Sequence, residues 1–169
     1  MWGKVRTFAH CEFGSLPFAA KKMQFTGKIQ ARMDAKGRVF FPADFRKEMG
    51  AGELRFVLKR DVYQPCLVIY PYATWAAEVA ELRNRLNRWV PSEAMVLRQF
   101  LSDAEVFTLD ANGRFIVPRR FQETCGLTKS VAFIGLDDRI ELWSAPRADE
   151  PFLGAEEFSD ALQRLMRNG

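Results

Sequence analysis

Asp34, Lys36, Gly37 and Arg38 sit in the run Asp-Ala-Lys-Gly-Arg, and Asp110, Asn112, Gly113 and Arg114 sit in a second run, Asp-Ala-Asn-Gly-Arg, seventy-six residues later. An Asp at the head of such a run can accept hydrogen bonds from amides just downstream, and Gly takes positive φ at no steric cost. The chemistry on offer is recognition of an anion rather than bond making. Amides in a tight turn approach phosphates closely, and Gly leaves no side chain in the way. Arg adds a fork that fits a guanine edge in the major groove. Residue types alone leave two readings open. In one, each Arg pairs with its own Asp and the turn is architecture. In the other, the turns also present Lys36, Arg38 and Arg114 to a nucleic acid, with Lys28 and Arg32 extending the basic set upstream.

Catalytic constellations are missing. The single histidine, His10, lies in an unpatterned leader, so no Ser-His or Cys-His couple is credible. There is no phosphate-binding glycine loop and no dinucleotide fingerprint. Asp137 and Asp138 are adjacent carboxylates, but in a hairpin such residues are turn formers. Cys11, Cys66 and Cys125 lie far apart with no paired spacing, so they read as reduced thiols and not as zinc ligands. No catalytic residue, metal, cofactor or small-molecule substrate is expected. An odd cysteine count suits a reducing cytoplasm.

The two runs are the most regular part of a longer repeat. Asp34, Arg38, Pro42, Phe45 and Gly50 recur at one constant spacing as Asp110, Arg114, Pro118, Phe121 and Gly126. A repeat of this kind implies a duplicated structural unit. Each unit is too small to be comfortably stable alone, so the halves should share a core with each other or with another subunit. The pattern predicts strands over 25–33, 39–41, 54–58 and 66–70, then 104–109, 115–117, 131–134 and 140–143. Short helices should follow Pro42 (43–49, stopped by Gly50 and Gly52) and Pro118 (119–125, stopped by Gly126). Thr74 should N-cap a helix running to Trp89, with Trp75, Val79, Leu82 and Leu86 on its apolar face. Pro91 should open another, ending near Leu101. A tail helix over 155–166 carries the stripe Phe158, Leu162 and Leu165, which should dock on the body or on a neighbour.

This divides the chain into an N-terminal arm (1–22), a first repeat (27–75), a helical linker (76–102), a second repeat (104–147) and a helical tail (148–169). Met23 is a candidate natural start. The arm has no clean apolar core between Lys4 and Pro17 and does not read as a signal peptide. No run is long and apolar enough to predict a membrane span.

Charge is distributed unevenly. The chain has a formal net charge of +4. Residues 28–60 hold nine Lys/Arg against four Asp/Glu, a net of +5, whereas residues 103–141 hold five against seven, a net of −2. The first repeat therefore carries most of the positive field, which favours an anionic partner there. Arg46-Lys47, Arg119-Arg120 and the arginines between 83 and 88 read as solvated helix faces. Trp75, Trp89 and Trp143 read as core or interface and not as base-stacking platforms.

With Pro42, Pro118, the strand Cys66-Leu-Val-Ile-Tyr-Pro71 and the strand Ile140-Glu-Leu-Trp143, the paired turns resemble the MraZ family of bacterial regulators, within the AbrB-like swapped-hairpin group. The resemblance covers roughly residues 24–147. It implies a mainly β fold with short helices, in which tandem AbrB-like β-barrel units form a pseudo-dimer. It also implies closed rings of several subunits, binding to direct repeats in double-stranded DNA upstream of a division and cell-wall gene cluster, usually as repressors. The protein would then be cytoplasmic and nucleoid-associated. By this resemblance Lys36, Gly37 and Arg38 would face DNA, with Arg114 as a second contact. The chain departs from the family pattern at Thr26, where a basic residue is common, and Lys28 is the nearest substitute. Rival readings are a ring-forming interaction protein with architectural turns, or an antitoxin-like module. The concentration of charge on one half favours the first proposal, and a helical tail argues against an antitoxin.

Overall fold

The computed structural model describes residues 23–50 and 54–167. The expected arm and the Gly52 helix stop lie outside the described residues.

Among the described residues the chain forms eight strands and six helices. The first repeat holds β1 (Lys28–Arg32), β2 (Arg38–Phe40), α1 (Ala43–Glu48), β3 (Arg55–Arg60) and β4 (Leu67–Pro71). Then come α2 (Tyr72–Arg85) and α3 (Pro91–Ser102). The second repeat gives β5 (Ala104–Thr108), β6 (Arg114–Ile116), α4 (Arg119–Cys125), β7 (Ser130–Leu136) and β8 (Arg139–Ser144). The chain ends with α5 (Ala145–Asp149) and α6 (Ala155–Arg167). The class is mainly antiparallel β with short helices, as expected.

The repeats are interwoven. One six-stranded sheet runs β1-β7-β8-β4-β3-β5, and a two-stranded ribbon pairs β2 with β6. The first strand of each repeat thus leaves its own unit and pairs with the third strand of the other. In the middle of the sheet, Leu67 faces Leu142 and Ile69 faces Ile140. In the ribbon Arg38 faces Ile116 and Phe40 faces Arg114. Exchanging the repeats reproduces both registers, so an approximate twofold axis passes through the pairs Val68–Glu141 and Val39–Phe115.

Burial explains the exchange. One core joins residues of both repeats: Phe41, Phe56 and Leu58 meet Phe115, Phe121 and Phe133. Ring pairs such as Phe56–Phe107 at 5.3 Å and Phe41–Phe133 at 6.2 Å cross the duplication. Each fully buried ring or leucine contributes about 1.5–3 kcal/mol, and neither half has enough of them alone. The strands β3 and β4 are buried on both faces, which is why they read as continuous apolar runs. Their second face meets α2 through Val57, Val68, Tyr70, Trp75 and Val79.

Three elements differ from expectation. Helix α2 begins at Tyr72, and Pro71, not Thr74, precedes it without a side-chain cap. A proline before the first turn already sets an extended entry, and Thr74 falls inside the helix. The helix also stops at Arg85, because Leu86 is extended, and this leaves Trp89 86% exposed instead of packed. Finally, a further short helix, Ala145–Asp149, precedes the tail helix, and of the two docking places expected for the α6 stripe the chain's own body is not used, since Phe158, Leu162 and Leu165 are exposed.

Candidate nucleic-acid interface

Each turn is built by one carboxylate. Asp34 Oδ1 accepts hydrogen bonds from the amides of Lys36 and Arg38, both at 2.9 Å, and Asp34 Oδ2 accepts one from Arg38 Nε at 2.7 Å. Asp110 does the same for Asn112, Arg114 and Arg114 Nε, at 2.9, 2.9 and 3.0 Å. The amides of Arg38 and Arg114 above all hold both carboxyls below their ordinary value, with burial opposing and the remaining hydrogen bonds to each turn adding to the effect. Gly37 and Gly113 sit at φ 79° and 77°, where other residues are strained.

The turns are also tied across the approximate twofold. Gly37 accepts a hydrogen bond from the Val117 amide at 2.8 Å, and Gly113 accepts one from the Phe41 amide at 2.9 Å. Gln122 from α4 lies over Gly37, and Arg46 from α1 lies over Gly113. Helices α1 and α4 therefore brace the opposite repeat's turn. Pro42 and Pro118 open these helices at φ −56° and −57°, so the chain leaves the ribbon and turns directly into the brace.

Pairing Nε with its own aspartate does not remove Arg38 or Arg114 from use. It fixes the plane of the guanidinium and leaves the terminal nitrogens for another acceptor. The ribbon alternates: Val39 and Phe115 point into the core, whereas Arg38, Phe40, Arg114 and Ile116 share the other face. Phe40 is 59% and Ile116 60% exposed on that face, and the Arg114 guanidinium lies 5.7 Å from the Phe40 ring centroid. Two arginines and two apolar side chains thus form one outward patch, flanked by the turn tips. Lys36 is exposed at the first tip, bordering an open cleft of about 630 Å³ against Pro118 and Arg119. Asn112 holds the equivalent place on the second.

Two residues of the basic set stand apart. Lys28 Nζ donates to Asp149 Oδ1 at 2.9 Å and to the Ala148 carbonyl at 3.0 Å, so it anchors α5 at the far end of β1. Arg32 is exposed at the other end of β1, two residues before Asp34. On the second repeat Glu105 pairs with Arg120 at 3.0 Å, and Arg119 with Glu123 at 2.9 Å. The positive field is therefore less compensated at the first turn. The exposed Phe40 and Ile116 were not singled out from sequence. The signal was present: in Val39-Phe40-Phe41 only the outer two residues have the parity of the core.

The chain matches the model of a family described as "MraZ protein, putative antitoxin-like" twice, over residues 24–99 and 100–166. A protein of Bacteroides thetaiotaomicron called Transcriptional regulator MraZ is 46% identical over 147 residues, covering 86% of this chain and 94% of the relative. A protein of Phocaeicola vulgatus with the same name is 48% identical over 145 residues, covering 85% and 94%. One from Moorella thermoacetica, again so named, is 35% identical over 126 residues, covering 75% and 85%.

Proposed function

The chain belongs to the MraZ family, and from that membership we propose that it is a DNA-binding transcriptional regulator whose paired turns and ribbon face form the contact surface. The relatives are regulators by name, not enzymes. The observation that carries the surface assignment is the outward ribbon face, with Arg38 and Arg114 held in plane by Asp34 and Asp110. A two-stranded ribbon fits the major groove of B-form DNA. There Arg38 and Arg114 would fork onto base edges, and Phe40 and Ile116 would lie against thymine methyl groups. Lys36 and Arg32, with the amides at the turn tips, would hold phosphates. Gly37 and Gly113 keep the turns low enough for that approach, and Asn112 would supply a neutral contact on the weaker second turn. Lys28, held by Asp149, would support the surface from a distance.

In this reading several subunits in a closed ring engage successive direct repeats upstream of a division and cell-wall gene cluster and repress it. Each contact is weak, and linkage raises the effective concentration of the later ones, by about 10²–10⁴ in avidity. The protein would work in the cytoplasm, on the nucleoid. Anisotropy titration of a direct-repeat duplex against a scrambled duplex tests the proposal. Equal affinity for the two, or no loss when Arg38 and Arg114 are both replaced by Ala, removes it. The exposed Phe40 and Ile116 also favour a second reading, a protein-contact surface, which would hold in high salt where phosphate contacts fail.

A further inference from the structure

Lys36 and Arg46 of the first repeat correspond, at the constant spacing of the duplication, to Asn112 and Gln122 of the second. Along the chain, one copy has two cations at these places and the other has two neutral amides. The fold redistributes them. Helices α1 and α4 each reach over the other repeat's turn, so Arg46 lies over Gly113, next to Asn112, and Gln122 lies over Gly37, next to Lys36. Each turn therefore holds one cation and one amide. The aspartate and arginine within each turn cancel, which leaves the first turn with the charge of Lys36 and the second with that of Arg46.

The two bracing side chains are not equally occupied. Gln122 Nε2 donates to the Val117 carbonyl at 2.7 Å, so its amide is committed to the brace. Arg46 is half-buried against its turn, yet its guanidinium has no hydrogen bond or ion pair among the described residues. Asp44, on the same helix, pairs with Lys47 at 3.3 Å instead. A guanidinium stays charged and carries five N–H donors. Half-desolvated and without a protein acceptor, these donors are set to receive an anion from outside.

We propose that Arg46 is the phosphate-binding cation of the second turn, supplied to it by the first repeat, so that both turns grip the DNA backbone with equal charge. This rests on the ribbon reading given above and adds a residue to it. A duplex groove is bordered by a phosphate strand on each side, and a ribbon lying in it with a turn at each flank meets both. The surplus of positive charge in the first repeat then serves the two turns together, and Asn112 at the second tip has a cation at its side.

The test compares variants of the full chain on the direct-repeat and scrambled duplexes, by anisotropy at several salt concentrations. Arg46→Gln copies the brace that Gln122 already makes, so it should melt like the wild type. Its affinity should fall by a similar factor for both duplexes, and the slope of log affinity against log salt should fall by about one for each bound subunit. Adding Asn112→Lys should restore the slope, which a merely structural role for Arg46 does not allow, and Arg46→Lys should keep it. If Arg46→Gln melts early, phenylglyoxal modification of the wild type, mapped by mass spectrometry, takes its place: Arg46 should react in the free protein and be protected in the complex. An unchanged slope, a loss that Asn112→Lys leaves in place, or an Arg46 that is as reactive in the complex as in the free chain each overturns the proposal. If binding is insensitive to the paired replacement of Arg38 and Arg114 as well, the ribbon reading falls; if that pair matters and Arg46 does not, the role of Arg46 alone falls.

Discussion

The amide of Val117 donates to the carbonyl of Gly37 at 2.8 Å and ties the first turn to the end of the other repeat's ribbon strand. Phe41 and Gly113 repeat the contact at 2.9 Å. The two turns are therefore not independent loops. Each is held by its own aspartate from within and by the opposite repeat from outside. A change at a turn glycine should register in the stability of the whole fold, and the two glycines should differ.

A methyl group at Gly37 would meet the Val117 carbonyl oxygen at 2.7 Å, as well as the Gln122 side chain. At Gly113 it would meet only the end of the Arg46 side chain, which can swing away. Both sites share the positive-φ penalty, about 1–2 kcal/mol for a residue with Cβ. Gly113→Ala should therefore cost roughly that much, and Gly37→Ala more, since backbone must move. Thermal unfolding followed by circular dichroism distinguishes them, at about 2–4 °C per kcal/mol for a chain of this size. Equal shifts would show that the Val117 contact is not the constraint.

The ribbon face makes the arginines and the lysine separable. Arg38→Ala should weaken binding to direct-repeat DNA by about 1–3 kcal/mol and blunt sequence preference, as expected for a base contact. Lys36→Ala should weaken binding to all duplexes alike and reduce the slope of log affinity against log salt by about one. Anisotropy titrations at several salt concentrations measure both quantities. A change in slope without a change in preference for Arg38→Ala would demote it to a phosphate contact.

The repeat was the most legible feature because the turns need particular residues at particular places. Asp34, Gly37, Pro42 and Gly50 each answer a backbone demand, and such demands leave the same letters in both copies. Strand exchange was not legible. Ile29 and Ala31 have the same inward parity whether β1 pairs within its repeat or with β7, since period two reports a face and not a partner. The missed start of α2 has a similar cause. Thr74 is a good cap by residue type, but Pro71 had already fixed the entry of the chain. The ribbon face was half legible: charge drew attention to Arg38 and Arg114, while Phe40 was hidden in an apolar triplet.

The two described cysteines should be inert in the folded protein. Cys66 and Cys125 are buried, and burial pushes both thiols up, Cys125 to about 11. Alkylating reagents attack the thiolate, which neither residue forms near neutral pH. Peptide mapping after iodoacetamide treatment should find both unlabelled under native conditions and fully labelled in denaturant. Rapid native labelling of Cys125 would mean that α4 opens locally far more often than its packing on the core allows.

Acid should loosen the turns first. Asp34 and Asp110 are held below their ordinary value of 3.8 in the folded chain, so the unfolded chain binds protons more readily at those sites. Their contribution to stability is complete above the ordinary carboxylate range and is lost as pH falls through the folded values. Glu141 acts in the opposite sense. Burial raises its carboxyl, and the Trp143 indole at 2.8 Å only partly offsets this, so the folded chain takes up that proton first. Its effect favours the folded state as pH falls and fades as pH rises through the raised value. Urea midpoints between about pH 2 and pH 6 separate the two. The double variant Asp34→Asn, Asp110→Asn keeps acceptors for the turn amides but loses the charges. It should therefore be less stable than wild type at the upper end of this range and should lose less on acidification. Glu141→Gln should change the slope at the upper end alone. If the double variant keeps the full acid dependence of the wild type, the turns are not where protons unfold this protein.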